Sequence, residues 1–241
     1  DAIRYAYDNL DWDGLLYWGG HVAYDILRDE MSYAENKSAS HELKQDYPYY
    51  ELMWEVDPER TKTLIERIWN GHILDWSNLD FNRHARPKPL GDLWNSRWDN
   101  GEVFFWGDGL TFLNTGSDLF YAAAILSKLS NDPAPLVWSK RLAGQYIKTR
   151  QPGIGISGYQ FSQCKTAWCE GPETLGDRAQ YFLGPDFPGR KVFEGTLFGL
   201  QGGAPYVQPR LCMLYLGDQL GASGREFSQW ALEEMQAWGK A

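Results

Sequence analysis

Cysteine is scarce: Cys164, Cys169 and Cys212 are the only three in 241 residues, which permits at most one disulfide and excludes a disulfide-built scaffold. No apolar run approaches the roughly 18 residues that a membrane-spanning helix needs, so the sequence offers no transmembrane segment. Basic charge is short as well, with 23 Lys and Arg against 32 Asp and Glu and a net of −9. A chain that wraps nucleic acid wants a basic face, and this balance argues against one while leaving room for a local basic pocket. The compact signatures of many catalysts are missing: HExxH, GxSxG, GxxxxGKS/T and CxxC do not occur. The glycine-rich stretch Gly153 to Gly158 follows a predicted helix and Pro152 rather than a strand, so it is no dinucleotide loop. Histidine occupies only four positions, His21, His41, His72 and His84, and any imidazole chemistry must come from these.

What is plentiful is tryptophan, with 12 Trp against 11 Phe. Sugar-stacking surfaces and a large aromatic core explain that excess equally well. The length suffices for one large domain with a real core, and we expect a single domain over 1–241. The chain opens at Asp1 rather than Met. Its last segment, Ser223 to Ala241, has the Ser223 and Glu226 spacing of a capping box and an apolar face of Phe227, Trp230, Ala231, Met235 and Trp238 that needs a partner. The chain is therefore expected to be a piece of a longer one.

Helical periods dominate. Leu15, Trp18, Val22 and Ile26 predict a helix over 14–31, interrupted by Gly19 and Gly20. Asp57 as N-cap, Pro58 at the first turn, a stripe of Leu64, Ile65, Ile68 and Trp69 and a stop at Gly71 mark the cleanest helix. Ser117 to Ser130 and a second Asp-Pro start at Asp132 and Pro133, running towards Arg150, predict an antiparallel hairpin. Gln208 to Leu220 and Gly224 to Trp238 predict another across Gly221. The stretches Phe81 to Gly109 and Pro152 to Pro209 lack helical rhythm, and irregular stretches of that length are usually functional. The pattern implies an all-α chain whose helical hairpins form a toroid, with long loops gathered on one side.

Among the histidines, His72 follows the helix-ending glycine and His41 lies in a polar Ser-rich stretch beside Glu42; both read as structural. The run from Leu74 to His84 is different, for it packs Asp75, Trp76, Asn78, Asp80, Asn82, Arg83 and His84 into a stretch with no helical stripe. A polar loop stapled by its own Asx turns explains that composition as well as a site does.

Trp18-Gly19-Gly20-His21, Ser40-His41-Glu42, Leu79-Asp80-Phe81-Asn82-Arg83-His84 and Phe105-Trp106-Gly107-Asp108-Gly109 together resemble the family-2 polysaccharide lyases, metal-dependent pectate lyases built as an incomplete (α/α) toroid. The resemblance covers essentially the whole chain and rests on joint spacing. It implies His21, Glu42 and His84 as metal ligands and Arg83, directly before the second histidine, as the catalytic base. It further implies a divalent transition metal, manganese first with cobalt, nickel or zinc as alternatives. The implied substrate is polygalacturonate or oligogalacturonides, and the implied location periplasmic or cytoplasmic. Members of that family are about twice as long, so parts of the barrel are expected to lie outside this chain, which we expect to be a monomer.

The chemistry is coherent. Two imidazoles and a carboxylate suit a borderline transition metal with open positions. A uronate carboxylate bound there loses charge, which acidifies the C5 proton. A base removes that proton, the C4 oxygen leaves, and a 4,5-unsaturated product forms without consuming water. Arg83, Arg86, Lys88 and Arg97 fall in one irregular region and could receive substrate carboxylates, with Lys165, Arg190 and Lys191 as further cations. Trp76, Trp106 and Tyr159 are candidate sugar platforms, each equally explained by core packing. Two other classes stay open: a glycoside hydrolase pairing carboxylates from Asp11, Asp13, Asp75 and Asp80, and a non-catalytic sugar-binding module.

Overall fold

The computed structural model describes residues 1–11, 13–16, 22–33, 41–86, 88–100, 111–148, 150, 153, 155–157, 160–161 and 204–240. Among these, helices dominate: α1 (Ala2–Asp8), α2 (Tyr50–Val56), α3 (Pro58–His72), α4 (Leu113–Ser130), α5 (Pro133–Lys148), α6 (Ala204–Leu220) and α7 (Arg225–Trp238). Among the described residues six short strands form three separate antiparallel pairs: β1 (Val22–Asp25) with β2 (Glu30–Tyr33), β3 (Ile73–Asp75) with β4 (Asp80–Phe81), and β5 (Thr111–Phe112) with β6 (Gln160–Phe161). The fold is all-α in class, as the periodicity implies.

α3 forms where the capping chemistry places it. The Asp57 carboxylate accepts from the Arg60 amide at 3.0 Å, Pro58 fills the first turn, and Leu64, Ile65, Ile68 and Trp69 are buried. The helix passes Gly71 by one residue, and Ile73 turns into extended backbone to start β3.

α4 is the hub. From Leu113 to Ser127 every residue except Asn114 is buried, so the helix is enclosed on all sides. It packs on α2, α3, α5 and α6. Close approach to α5 depends on Gly116, where a methyl group would collide with the Tyr146 hydroxyl. Asn131 in left-handed conformation (φ 57°) and Asp132, which accepts from the Ala134 amide at 2.9 Å, close the α4–α5 hairpin. Gly217 plays the same close-packing part between α6 and α7, where a Cβ would strike Ser228.

Tryptophan builds the core. Trp69 stacks on Trp76 with ring centres 5.8 Å apart, Trp76 meets Trp138 edge-on at 5.0 Å, and Trp94 and Trp98 complete the cluster. The indole N–H groups of Trp69 and Trp138 donate to the Leu119 and Trp94 carbonyls, each at 2.9 Å, which removes the cost of burying them.

Three expectations are corrected. Residues 22–33 form a β-hairpin instead of continuing a helix over 14–31. The Asp25 carboxylate accepts from the Leu27 and Arg28 amides at 2.9 and 3.2 Å, and Asp29 is left-handed at φ 55°. That Asx-type turn competes with the helix and leaves Ile26 and Leu27 in solvent. The Ser223 and Glu226 capping box does not form, because 221–224 is a 3-10 turn and Gly224 caps α7 without a side-chain bond. The buried side of α7 is Phe227, Ala231 and Glu234 rather than a stripe through Met235 and Trp238, which are partly exposed.

Candidate active site

The last turn of α3, the chain that follows the β3–β4 hairpin and the segment around Glu42 lie side by side as three short stretches, the first of them helical. Residues 82–86 lie in the middle. On one side the Leu43 amide donates to the Arg83 carbonyl at 2.8 Å and the Ala85 amide to the His41 carbonyl at 3.0 Å, so that Glu42 and His84 face each other as an antiparallel pair. On the other side the Asn82 amide donates to the His72 carbonyl at 3.0 Å and the Arg86 amide to the Gly71 carbonyl at 2.7 Å. The Asn82 side chain adds a local brace, accepting from the His84 amide at 2.9 Å.

The Glu42 carboxylate is the focus of this ribbon. Its Oε1 is 3.1 Å from Arg83 Nε and 3.4 Å from His84 Nε2, and its Oε2 is 3.3 Å from Lys44 Nζ. The carboxylate is buried, whereas the Arg83, His84 and Lys44 side chains keep 30%, 26% and 41% of their surface in solvent. An incoming anion can therefore reach the cations and the imidazole, while the carboxylate organises them from behind.

α4 fixes the chain just beyond Glu42. Asp118 accepts from the amides of Lys44 at 2.9 Å, Gln45 at 2.5 Å and Tyr47 at 3.3 Å, which holds Gln45 and Tyr47 in left-handed conformations. Burial pushes the Asp118 carboxyl up to about 7, outweighing the three amide donors that favour its ionised form.

Beneath the ribbon lie two fully buried imidazoles, His41 and His72. His41 Nδ1 is 2.7 Å from His72 Nε2, and His72 Nδ1 is 2.8 Å from the Asn82 carbonyl. Burial lowers both, His72 to about 4, so both rings are neutral near pH 7. A carbonyl only accepts, so His72 carries its proton on Nδ1. Its bare Nε2 must then accept from His41 Nδ1–H.

Of the residues singled out from sequence, the structure brings Glu42, Arg83 and His84 together; His21 lies outside the described residues. Arg86 is exposed, the Lys88 ammonium donates to the Ile73 carbonyl at 2.6 Å, and Arg97 pairs with Asp99 at 2.6 Å. Trp76 belongs to the aromatic core, while Trp106, Tyr159, Lys165, Arg190 and Lys191 lie outside the described residues. Two of the four carboxylates weighed for a hydrolase brace turns. Asp11 accepts from the Asp13 and Leu15 amides at 2.9 and 2.7 Å, and Asp75 from the Ser77 amide at 2.8 Å. Burial, with Asp11 beside it, pushes Asp13 up to about 6. Lys44 was missed, although its spacing of two from Glu42 in an extended segment puts it on the same side.

The donors fit a divalent cation. Two ligand atoms each about 2.1 Å from one tetrahedral ion stand about 3.4 Å apart, and that is the Glu42 Oε1 to His84 Nε2 distance. Among the described residues no third His, Cys, Asp or Glu joins them.

A family described as periplasmic pectate lyase matches residues 1–241, and the chain belongs to that family. It is 40% identical over 190 residues to a pectate disaccharide-lyase of Dickeya dadantii (strain 3937). That match covers 72% of this chain and 35% of the relative, so the chain spans about a third of the relative's length.

Proposed function

We propose that this chain carries the elimination site of a pectate lyase acting on α-1,4-linked polygalacturonate or oligogalacturonides. The observation that carries the reading is the convergence of Arg83 and His84 on Glu42 within 3.4 Å, supported by membership of a pectate lyase family and the likeness to a pectate disaccharide-lyase. Glu42 and His84, with His21, would hold the divalent cation, manganese first. Such a cation would bind the uronate carboxylate and acidify the C5 proton.

Arg83 is the base in this reading. Guanidinium ordinarily stays charged. A divalent cation held by Glu42 and His84 would favour the neutral guanidine that a base needs. Arg83 takes the C5 proton, the C5–H electron pair forms the C4–C5 double bond, and the C4–O bond breaks towards the leaving sugar. Lys44 is placed to meet a second substrate carboxylate. The periplasm is the compartment that the family description favours. The remaining helical hairpins of a toroid would come from the rest of a longer chain.

The test is ultraviolet absorbance of unsaturated uronide on polygalacturonate, first with EDTA and then with manganese restored. A rise that EDTA abolishes and manganese restores is expected. A folded chain that gives no rise with manganese present, in both this form and a full-length form, would sink the reading.

A further inference from the structure

We propose that the His41–His72 imidazole pair is a positioning clamp that sets the register of the ribbon carrying Glu42, Arg83 and His84. The two rings come from the two outer segments, 31 residues apart in sequence, and meet at 2.7 Å beside the middle one. The clamp also grips the middle segment itself, because His72 Nδ1–H donates to the Asn82 carbonyl, directly before Arg83. A single chain of bonds thus runs from Asn82 through His72 to His41, whose neighbour in sequence is Glu42.

Filling this space would not by itself call for imidazole. Two buried rings carry four ring nitrogens that must be satisfied or desolvated at a cost, whereas aliphatic side chains of similar volume carry none. What the imidazoles add is direction. Each has one donor and one acceptor, so the tautomers fixed by the Asn82 carbonyl allow one relative placement of the three segments. A ribbon of two to five residues per segment has few backbone bonds to specify register, and a one-residue slip would turn His84 or Glu42 to the opposite face. The clamp acts through Glu42, Arg83 and His84 and touches no substrate. Its activity readout rests on the lyase reading, whereas its spectroscopic and metal-binding readouts do not.

Nitrogen–proton correlation NMR of the histidine rings, on the chain as it stands, is the direct test. Both buried rings are expected with the proton on Nδ1, and an Nε2–H form of either ring would overturn the clamp. The variants are His41→Leu, which removes the donor, and His41→Asn, which keeps an N–H near the Nδ1 position. His41→Leu is expected to weaken manganese affinity, read by calorimetry, by about tenfold to a hundredfold, as loss of supporting contacts around metal ligands does. It should lower kcat more than it raises KM. His41→Asn is expected to recover most of both losses. If His41→Leu fails to fold, the comparison of His41→Asn with the unaltered chain and the ring NMR still decide. Manganese affinity and kcat unchanged in folded His41→Leu, with only the melting temperature lowered, would reduce the pair to ordinary core. Absence of activity on polygalacturonate in both this form and a full-length form, with manganese affinity that still follows His41, would sink the lyase reading and support the clamp.

Discussion

Glu42 and Glu234 are equally buried, each with 3% of its side chain in solvent, and each faces positive charge, yet their surroundings differ in kind. Glu234 on α7 binds the guanidinium of buried Arg210, accepts from the Ser157 amide at 3.0 Å and hydroxyl at 2.6 Å, and has Arg150 Nε at 3.6 Å. Arg210 and the Ser157 hydrogen bonds overcome the burial penalty and hold its carboxyl below the usual range. Its chief cation is as buried as the carboxylate, so the pair is closed. Glu42 has its cations and its imidazole on half-exposed side chains at 3.1 to 3.4 Å. The same charge at the same depth is a strut in one place and the floor of an open site in the other. Accessibility of the partners decides which.

Exchanging damage between the two carboxylates breaks this comparison most sharply. Glu42→Gln, like Arg83→Ala, is expected to lower turnover on polygalacturonate by about a hundredfold to a thousandfold, on the scale by which transition-state groups contribute, while the melting temperature moves little. Arg83→Ala should leave metal content unchanged, and near-normal kcat in that variant would refute the role of Arg83. Glu234→Ala should do the reverse. It strands Arg210 in the interior at a cost of about 3–5 kcal/mol, read by urea unfolding, with kcat per folded molecule retained.

The pH dependence of stability sharpens the contrast further, because the groups flanking the site pull in opposite directions. His72 is lowered to about 4 from an ordinary imidazole value near 6.5. Between these values the unfolded chain binds a proton that the folded chain does not, so stability is lost as pH falls from about 6.5 to about 4, by about 3 kcal/mol. Asp118 is raised to about 7 from an ordinary value near 3.9. There the folded chain keeps a proton that the unfolded chain releases, so this contribution is lost as pH rises from about 4 to about 7. Asp118→Asn should therefore steepen the loss towards acid, and His72→Gln should leave a loss towards neutral pH. Identical pH profiles for the two variants would refute the assignment. The smallest effect is expected at a position remote from both carboxylates, where Asp57→Ala should cost about 1 kcal/mol through loss of the α3 cap with activity unaltered.

Local chemistry was legible where it is strong. The Asp-Pro starts of α3 and α5 were readable because an N-cap and a proline act on their own first turn. Residues 22–33 were misread because Val22 and Ile26 fit a helical period, while the deciding interaction, the Asx turn of Asp25, depends on side-chain bonds that periodicity does not record. The buried face of α7 was misjudged because a glutamate counts as polar until Arg210 and Ser157 arrive from elsewhere in the chain. At the site, Arg83, His84 and Glu42 came from the family resemblance, whose motifs match in joint spacing, and His41 and His72 were read as structural because a lone histidine usually is. Their contact across 31 residues was invisible in either neighbourhood.

The sequence by itself determined the helical class and the capped helices, because propensity and capping act within a few residues of chain, while the candidate ligands came from the family resemblance. Tertiary structure decided that the tryptophans beside α3, α4 and α5 are core, that Glu42 and His84 stand opposite each other, and that Glu234 is a strut. Those outcomes depend on which segments lie alongside one another, and strand pairing and burial are settled only when distant parts of the chain meet.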